Sequence, residues 1–217
     1  MFQSWAPLLS PKIELSLIHF PGRDKRIREP LYTDLSNLVE ELGDALLPLL
    51  DRPFAFFGHS MGALVSFEVA RYLDRRYGLR AKCLFLSARR APHLPDPYSN
   101  IYLLPEKDFL ETAENLYGKL PDIVKQDREI LQLFVNIMRA DLTMTCRYQY
   151  HHGPPLQCPL VVFGGMQDPS VAEHELKAWQ EHTAAQFELI MFPGDHFFIH
   201  GARMGLLQNL NRTLSSS

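Results

Sequence analysis

Three residues in this 217-residue sequence have the types and the chain order needed for nucleophilic acyl chemistry: Ser60, Asp168 and His196. Ser60 lies in Gly58-His59-Ser60-Met61-Gly62, a G-x-S-x-G pattern. A serine hydroxyl is a weak nucleophile until a neighbouring base takes its proton. It must also stand clear of the backbone, which demands a sharp turn between a strand and a helix. Small residues suit both sides of such a turn, because the strand end and the helix start pass close together. The helix N-terminus adds partial positive charge and free N–H groups beside the hydroxyl. The five-residue pattern is short, and its context carries the argument. The apolar run "FAFF" (54–57) leads in as a strand, and an amphipathic segment (61–77) leads out as a helix. A plain N-cap serine would also start a helix, but it has no need of glycine on both sides.

A base and an orienting acid complete the set. Asp168 follows the apolar run "PLVVFGG" in "GGMQDPS", and His196 follows "FELIMF" in "FPGDHFFIH". The order Ser, Asp, His and the placement of each residue just after a strand put all three on one sheet edge. His196 is then the base, Asp168 holds its tautomer and steadies the imidazolium, and the backbone N–H of Met61 is one oxyanion donor. Asp195 and Glu173 compete for the acid role. Asp195 adjoins His196, and a neighbour in a tight turn rarely points at the ring nitrogen; Glu173 falls inside the next helix. His59 either shapes the pocket or packs. His196 and His200 are four apart and His151 and His152 adjacent, but no H-E-x-x-H or Cys/His cluster accompanies them, so no metal is expected. No P-loop or G-x-G-x-x-G turn supports nucleotide binding.

The elements that position these residues alternate. Strands are expected at 13–20, 54–57, 83–87, 159–165 and 187–192. Helices are expected at 34–50, with Asp34 as N-cap and Leu35, Leu38, Val39, Leu42, Leu46 and Leu49 on one face, then at 61–77, at about 172–183 and after His200. Strands alternating with helices predict an α/β fold with a parallel sheet. From about 98 to 150 the apolar spacing stays helical, with joints at Gly118 and Pro121. This predicts a helical insertion over the C-terminal edge of the sheet, where sites lie in open α/β folds, within one domain spanning 1–217.

A net charge of −3 offers no basic surface for nucleic acid. The start "MFQSWAPLLS" lacks a cationic region followed by an apolar run, and no stretch is long and apolar enough to span a membrane. Cys83, Cys146 and Cys158 are odd in number and without metal spacing, and read as reduced thiols of a cytoplasmic protein. A monomer is the favoured state.

The segments "FPGRDKRIREP" (20–30), "RPFAFFGHSMGALVSFEVA" (52–70), "SARRAPHLP" (87–95), "MRADLTMTCRYQY" (138–150), "FGGMQDP" (163–169) and "FPGDHFF" (192–198) together resemble the type II, editing thioesterases of nonribosomal peptide and polyketide assembly lines. The fatty-acyl carrier-protein hydrolases share that superfamily. The resemblance implies an α/β-hydrolase core with a helical lid, the triad Ser60, Asp168 and His196, and no cofactor beyond the phosphopantetheine that the substrate carries. It implies hydrolysis of acyl thioesters held on an acyl carrier protein or peptidyl carrier domain. Phe109, Leu116, Leu120, Ile123, Leu133, Phe134, Ile137 and Met138 of the lid would then line an acyl cavity or pack the lid itself. Arg23, Lys25, Arg26, Arg28, Arg89 and Arg90 form two basic clusters that would steer an acidic carrier or simply face solvent. Two departures stand out. Asp195 occupies a position that is usually glycine in the family, where a carboxylate reaching the ring would raise the pKa of His196. The family's first strand and its Gly-rich turn, source of a second oxyanion N–H, have no counterpart before "SWAPLL". This fits either a shortened chain or an impaired relative that binds carriers without turnover. A generic carboxylesterase is the remaining alternative.

Overall fold

The computed structural model describes residues 2–215. Four parallel strands form one sheet in the order β1-β2-β3-β4: β1 Phe56–His59, β2 Leu84–Ser87, β3 Leu160–Gly165 and β4 Phe187–Phe192. The helices are α1 Leu35–Leu46, α2 Met61–Tyr77, α3 Glu106–Tyr117, α4 Asp122–Gln126, α5 Arg128–Cys146, α6 Glu173–Lys177 and α7 Arg203–Ser215.

The apolar runs become strands because the sheet is covered on both faces. Leu84, Leu86, Leu160 and Val162 point to one side, where Ala63, Phe67 and Ala70 of α2 meet Leu176 and Trp179. Phe85, Val161 and Phe163 point to the other, against Leu206, Leu207 and Leu210 of α7 and Trp5 of a 3-10 turn at Phe2–Leu8. Local signals set the helix ends. Asp34 caps α1 by accepting from Asn37 N, and Asp127 caps α5 by accepting from Glu129 N and Ile130 N. The helix α2 ends at Gly78, in the left-handed region at φ 67, with its N–H returned to Asp74 and Leu73. Between β2 and β3 the insertion is helical, as expected, and α3 and α5 share a core of Ile101, Phe109, Leu116 and Val135.

Several expected boundaries move. The first strand lies at 56–59 rather than 54–57, because its ladder with β2 runs into the turn itself and ends on Ser60 N donating to Ser87 O at 2.7 Å. The helix expected at 34–50 stops at Leu46 and continues as a 3-10 turn, Leu47–Leu49, since Pro48 has no N–H to extend it. The helix expected over 172–183 divides likewise into α6 and a 3-10 turn at Ala178–His182. The strand expected at 13–20 is not formed. This segment belongs to no ladder, although Ile13, Leu15 and Leu17 are more buried than Glu14, Ser16 and Ile18. Its period-2 pattern places Ile13 and Leu15 against the core, but a strand also needs a hydrogen-bonding neighbour, and among the described residues no strand pairs with this segment.

Candidate active site

The turn between β1 and α2 has the geometry that the G-x-S-x-G pattern requires. Ser60 is held at φ 55, ψ −117, a region that side chains with a Cβ rarely occupy. A Cβ on Gly58 would lie 2.0 Å from Gly62 O, so position 58 must be glycine. A Cβ on Gly62 would meet nothing within 4 Å, so the expectation of tight packing on both sides holds only for Gly58. Ser60 makes no capping hydrogen bond with its side chain, which sets aside the reading of it as an N-cap. Met61 is the first residue of α2, so its N–H lies outside the helix's own ladder and is free to point at an anion.

Asp168 and His196 meet directly. His196 Nδ1 is 2.9 Å from Asp168 Oδ2, and both side chains are sealed from solvent, at 3% and 0% exposure. The two loops are braced together. Met166 N donates to Phe192 O and Gln167 N to Gly194 O, while Gly194 N donates back to Gln167 Oε1 at 2.6 Å. A Cβ on Gly165 would come within 2.4 Å of Asp195 O, so the loops touch backbone to backbone there. Burial works to raise the Asp168 pKa, but the hydrogen bond and charge of His196 and two hydrogen bonds from Ser170 hold it below the usual carboxylate range. Asp195 does not reach the ring: its Oδ1 accepts from Phe197 N at 2.9 Å and closes the turn. Glu173 opens α6.

Around His196 the structure adds residues that the sequence did not single out. Ser170 Oγ lies 2.9 Å from His196 Nδ1 and 2.6 Å from Asp168 Oδ1. In the sequence it is marked only by its place two residues after Asp168, in "QDPS". Tyr117 of α3 brings its ring centroid to 4.8 Å from that of His196, placing the insertion directly over the base. His59, beside Ser60, sits 5.1 Å from His196 ring to ring, so the elbow and the histidine loop converge. Its Nδ1 bonds Ser87 Oγ at 2.9 Å. Burial, with His196 beside it, pushes its pKa down to about 3, so it stays neutral near pH 7. Among the described residues no hydrogen bond joins Ser60 Oγ to His196. Such contacts are often long before substrate arrives.

The surroundings bear on two readings that the sequence leaves open. A cavity of about 410 Å³ opens between α2, the loop after β2 and the end of α5, lined by Leu64, Arg89, His93, Asp96, Cys146 and Tyr150 among others, but by none of the eight apolar lid residues. Phe109 and Leu116 pack the lid's own core, whereas Ile123 and Leu133 face solvent. Four of the six basic residues are paired, while Lys25 and Arg28 are exposed. Arg90 is buried against Glu175, Arg89 faces Asp96, Arg23 pairs with Asp141 on α5, and Arg26 pairs with Glu29. Adjacent arginines on a loop read as exposed charge in sequence, and here the loop turns them inward.

The parallel sheet, the strained serine turn and the two braced loops define an α/β-hydrolase. A family model described as "Thioesterase domain" matches residues 1–214. The chain is 45% identical to the Brevibacillus parabrevis protein named linear gramicidin dehydrogenase LgrE, over 100% of this chain and 83% of that one. Among solved structures, the RedJ thioesterase from the prodiginine biosynthetic pathway of Streptomyces coelicolor superposes with a TM-score of 0.90 at 35% identity, covering 98% of this chain and 80% of that one. The type II thioesterase BorB from the borrelidin biosynthetic cluster superposes with a TM-score of 0.85 at 30% identity, covering 98% and 86%. The chain belongs to the thioesterase family, in its type II branch, and is a hydrolase of acyl thioesters. No helix among the described residues is long and apolar enough to cross a membrane.

Proposed function

We propose that Ser60, His196 and Asp168 act as a catalytic triad that removes acyl groups from the phosphopantetheine arm of carrier proteins in an assembly line for peptides, polyketides or fatty acids. The observation that carries this reading is the buried Asp168–His196 pair braced beside a serine held at φ 55. In the first step His196 Nε2 takes the Ser60 proton as Oγ attacks the thioester carbonyl. The carbonyl oxygen becomes an oxyanion facing the N–H of Met61 at the start of α2, where the helix dipole adds to the attraction. Collapse expels the pantetheine thiol, which takes the proton from His196 and leaves an acyl-serine. Water, deprotonated by the same nitrogen, then releases the acid and restores Ser60. Asp168, ionised throughout, stabilises the imidazolium that forms in each half-reaction. The chemistry draws on side chains and backbone alone. A cytoplasmic enzyme working on soluble carriers fits the family.

The test is a fluorophosphonate probe on the full chain, followed by hydrolysis of an acyl-loaded carrier protein and of an aryl ester. Labelling at Ser60, its loss in Ser60→Ala and His196→Ala, and faster turnover of the thioester are expected. Unchanged hydrolysis in Ser60→Ala would overturn the triad, and faster turnover of the oxygen ester would overturn the substrate class.

A further inference from the structure

We infer that Ser170 is a positioning residue for the reaction: its hydroxyl locks the Asp168 carboxylate and the His196 Nδ1–H into a single arrangement. The inference rests on the triad proposed above. It follows from counting hydrogens. An ionised carboxylate only accepts, and a serine hydroxyl has one hydrogen to give. The 2.6 Å contact from Ser170 Oγ to Asp168 Oδ1 uses that hydrogen. Ser170 Oγ therefore offers only lone pairs to His196 Nδ1, 2.9 Å away. Asp168 Oδ2, 2.9 Å from the same nitrogen, also only accepts. Both oxygens thus require a proton on Nδ1, and in a neutral imidazole that leaves the lone pair on Nε2. This is the tautomer a base needs if it is to receive the serine proton. The opposite tautomer would set the Nδ1 lone pair against two oxygens, one of them charged, in a site sealed from water.

The turn alone does not account for the hydroxyl. Asp168 Oδ1 also accepts from Ser170 N at 2.8 Å, and any residue other than proline would supply that N–H. What distinguishes serine is the bridge between Asp168 and His196, and the structure holds that bridge firmly. Ser170 O accepts from Arg90 Nη2 at 2.9 Å, and Arg90 is only 6% exposed. The same guanidinium donates to Pro95 O at 2.9 Å and lies 3.1 Å from Glu175 Oε1. Arg90 therefore fastens the serine to the loop after β2, a third point of support beyond the two loops that carry the acid and the base. A carboxylate free to rotate would satisfy His196 in some orientations and lose it in others; with Ser170 on the other oxygen, one orientation remains.

The test is a double-mutant cycle on the full chain, with Ser170→Ala and Asp168→Asn singly and together. The probe substrate is butyryl-N-acetylcysteamine, a small neutral thioester that needs no carrier. Hydrogen bonds to charged groups set the scale, so Ser170→Ala should lower kcat about 10- to 100-fold, with KM moving by less than about threefold. In the Asp168→Asn background the same change should cost less than about threefold, because the partner through which Ser170 acts is gone. Equal losses in both backgrounds overturn the inference, since a merely structural serine would act independently of Asp168. An unchanged kcat in the single variant overturns it as well. Ser60→Ala and His196→Ala run in parallel keep the two questions apart. If either retains full hydrolysis, the triad itself is wrong; if both abolish it while the cycle is additive, only the role of Ser170 is wrong.

Discussion

The backbone at Ser60 gives a prediction that does not depend on catalysis. At φ 55, ψ −117 a residue with a Cβ carries strain, typically about 1–3 kcal/mol for such regions. Alanine keeps the Cβ and keeps the strain; glycine removes both. Glycine in turn loses roughly 0.5–1 kcal/mol more chain entropy on folding. Subtracting one range from the other leaves Ser60→Gly about 0–2.5 kcal/mol more stable than Ser60→Ala, about 1 kcal/mol at the middle of both ranges. For a chain of this length each kcal/mol moves the melting temperature by about 2–4 °C, so the expected gap is about 2–4 °C at mid-range and at most about 10 °C. Scanning calorimetry of the two variants side by side measures it. Neither has a nucleophile, so differences in bound acyl groups do not confuse the comparison. If Ser60→Gly melts clearly below Ser60→Ala, by the amount that glycine entropy alone would cost, the turn holds no strain and the reasoning is wrong.

Acid should weaken the fold in a defined window. His182 is buried beside Trp179 and Phe67, hydrogen-bonds His93 Nδ1 at 2.7 Å, and lies near Arg71, His152 and Tyr150. Burial, followed by the electrostatic influence of His93, Arg71 and His152, pushes its pKa down to about 4 from 6.5. The folded state therefore binds fewer protons than the unfolded one between those values, and stability is lost as pH falls through that range. The melting temperature of the wild type should drop across it more steeply than that of His182→Gln; equal slopes would remove His182 as the cause. The partly buried ion pair between Arg23 and Asp141, with contacts of 2.7 and 2.9 Å, ties the loop before α1 to the lid helix α5. A double-mutant cycle on unfolding free energy should give a coupling of about 1 kcal/mol; a coupling indistinguishable from zero would mean the pair is ornamental.

Much of this site was legible in the sequence because its signals are local and redundant. The strand β3 lies within a residue of its expected bounds, since all six of its residues are buried and none is polar to blur the run; β4 matches at both ends even though Glu188 within it is exposed. Gly58 announced a backbone contact that only glycine permits. Asp168 and His196 followed from chain order and strand ends. What stayed hidden depends on contacts between distant segments. The segment at 13–20 has the alternation of a strand, but pairing is a property of its neighbours. Ser170 is one more polar residue after a proline until the fold carries it to His196. Arg89 and Arg90 read as surface charge because nothing in their own loop reveals Glu175 or Asp96. The apolar lid residues could not declare in advance whether they would face a cavity or one another.

The close contact at Gly165 has a consequence for how this enzyme divides its labour. The acid loop and the base loop are joined there by backbone, so one cannot shift without carrying the other. Aligning Asp168 with His196 is thus settled once, during folding, and is not repeated at each encounter with substrate. The α3–α5 insertion touches this pair from above through Tyr117. The insertion thus meets an acid–base pair that its own two loops already hold in place.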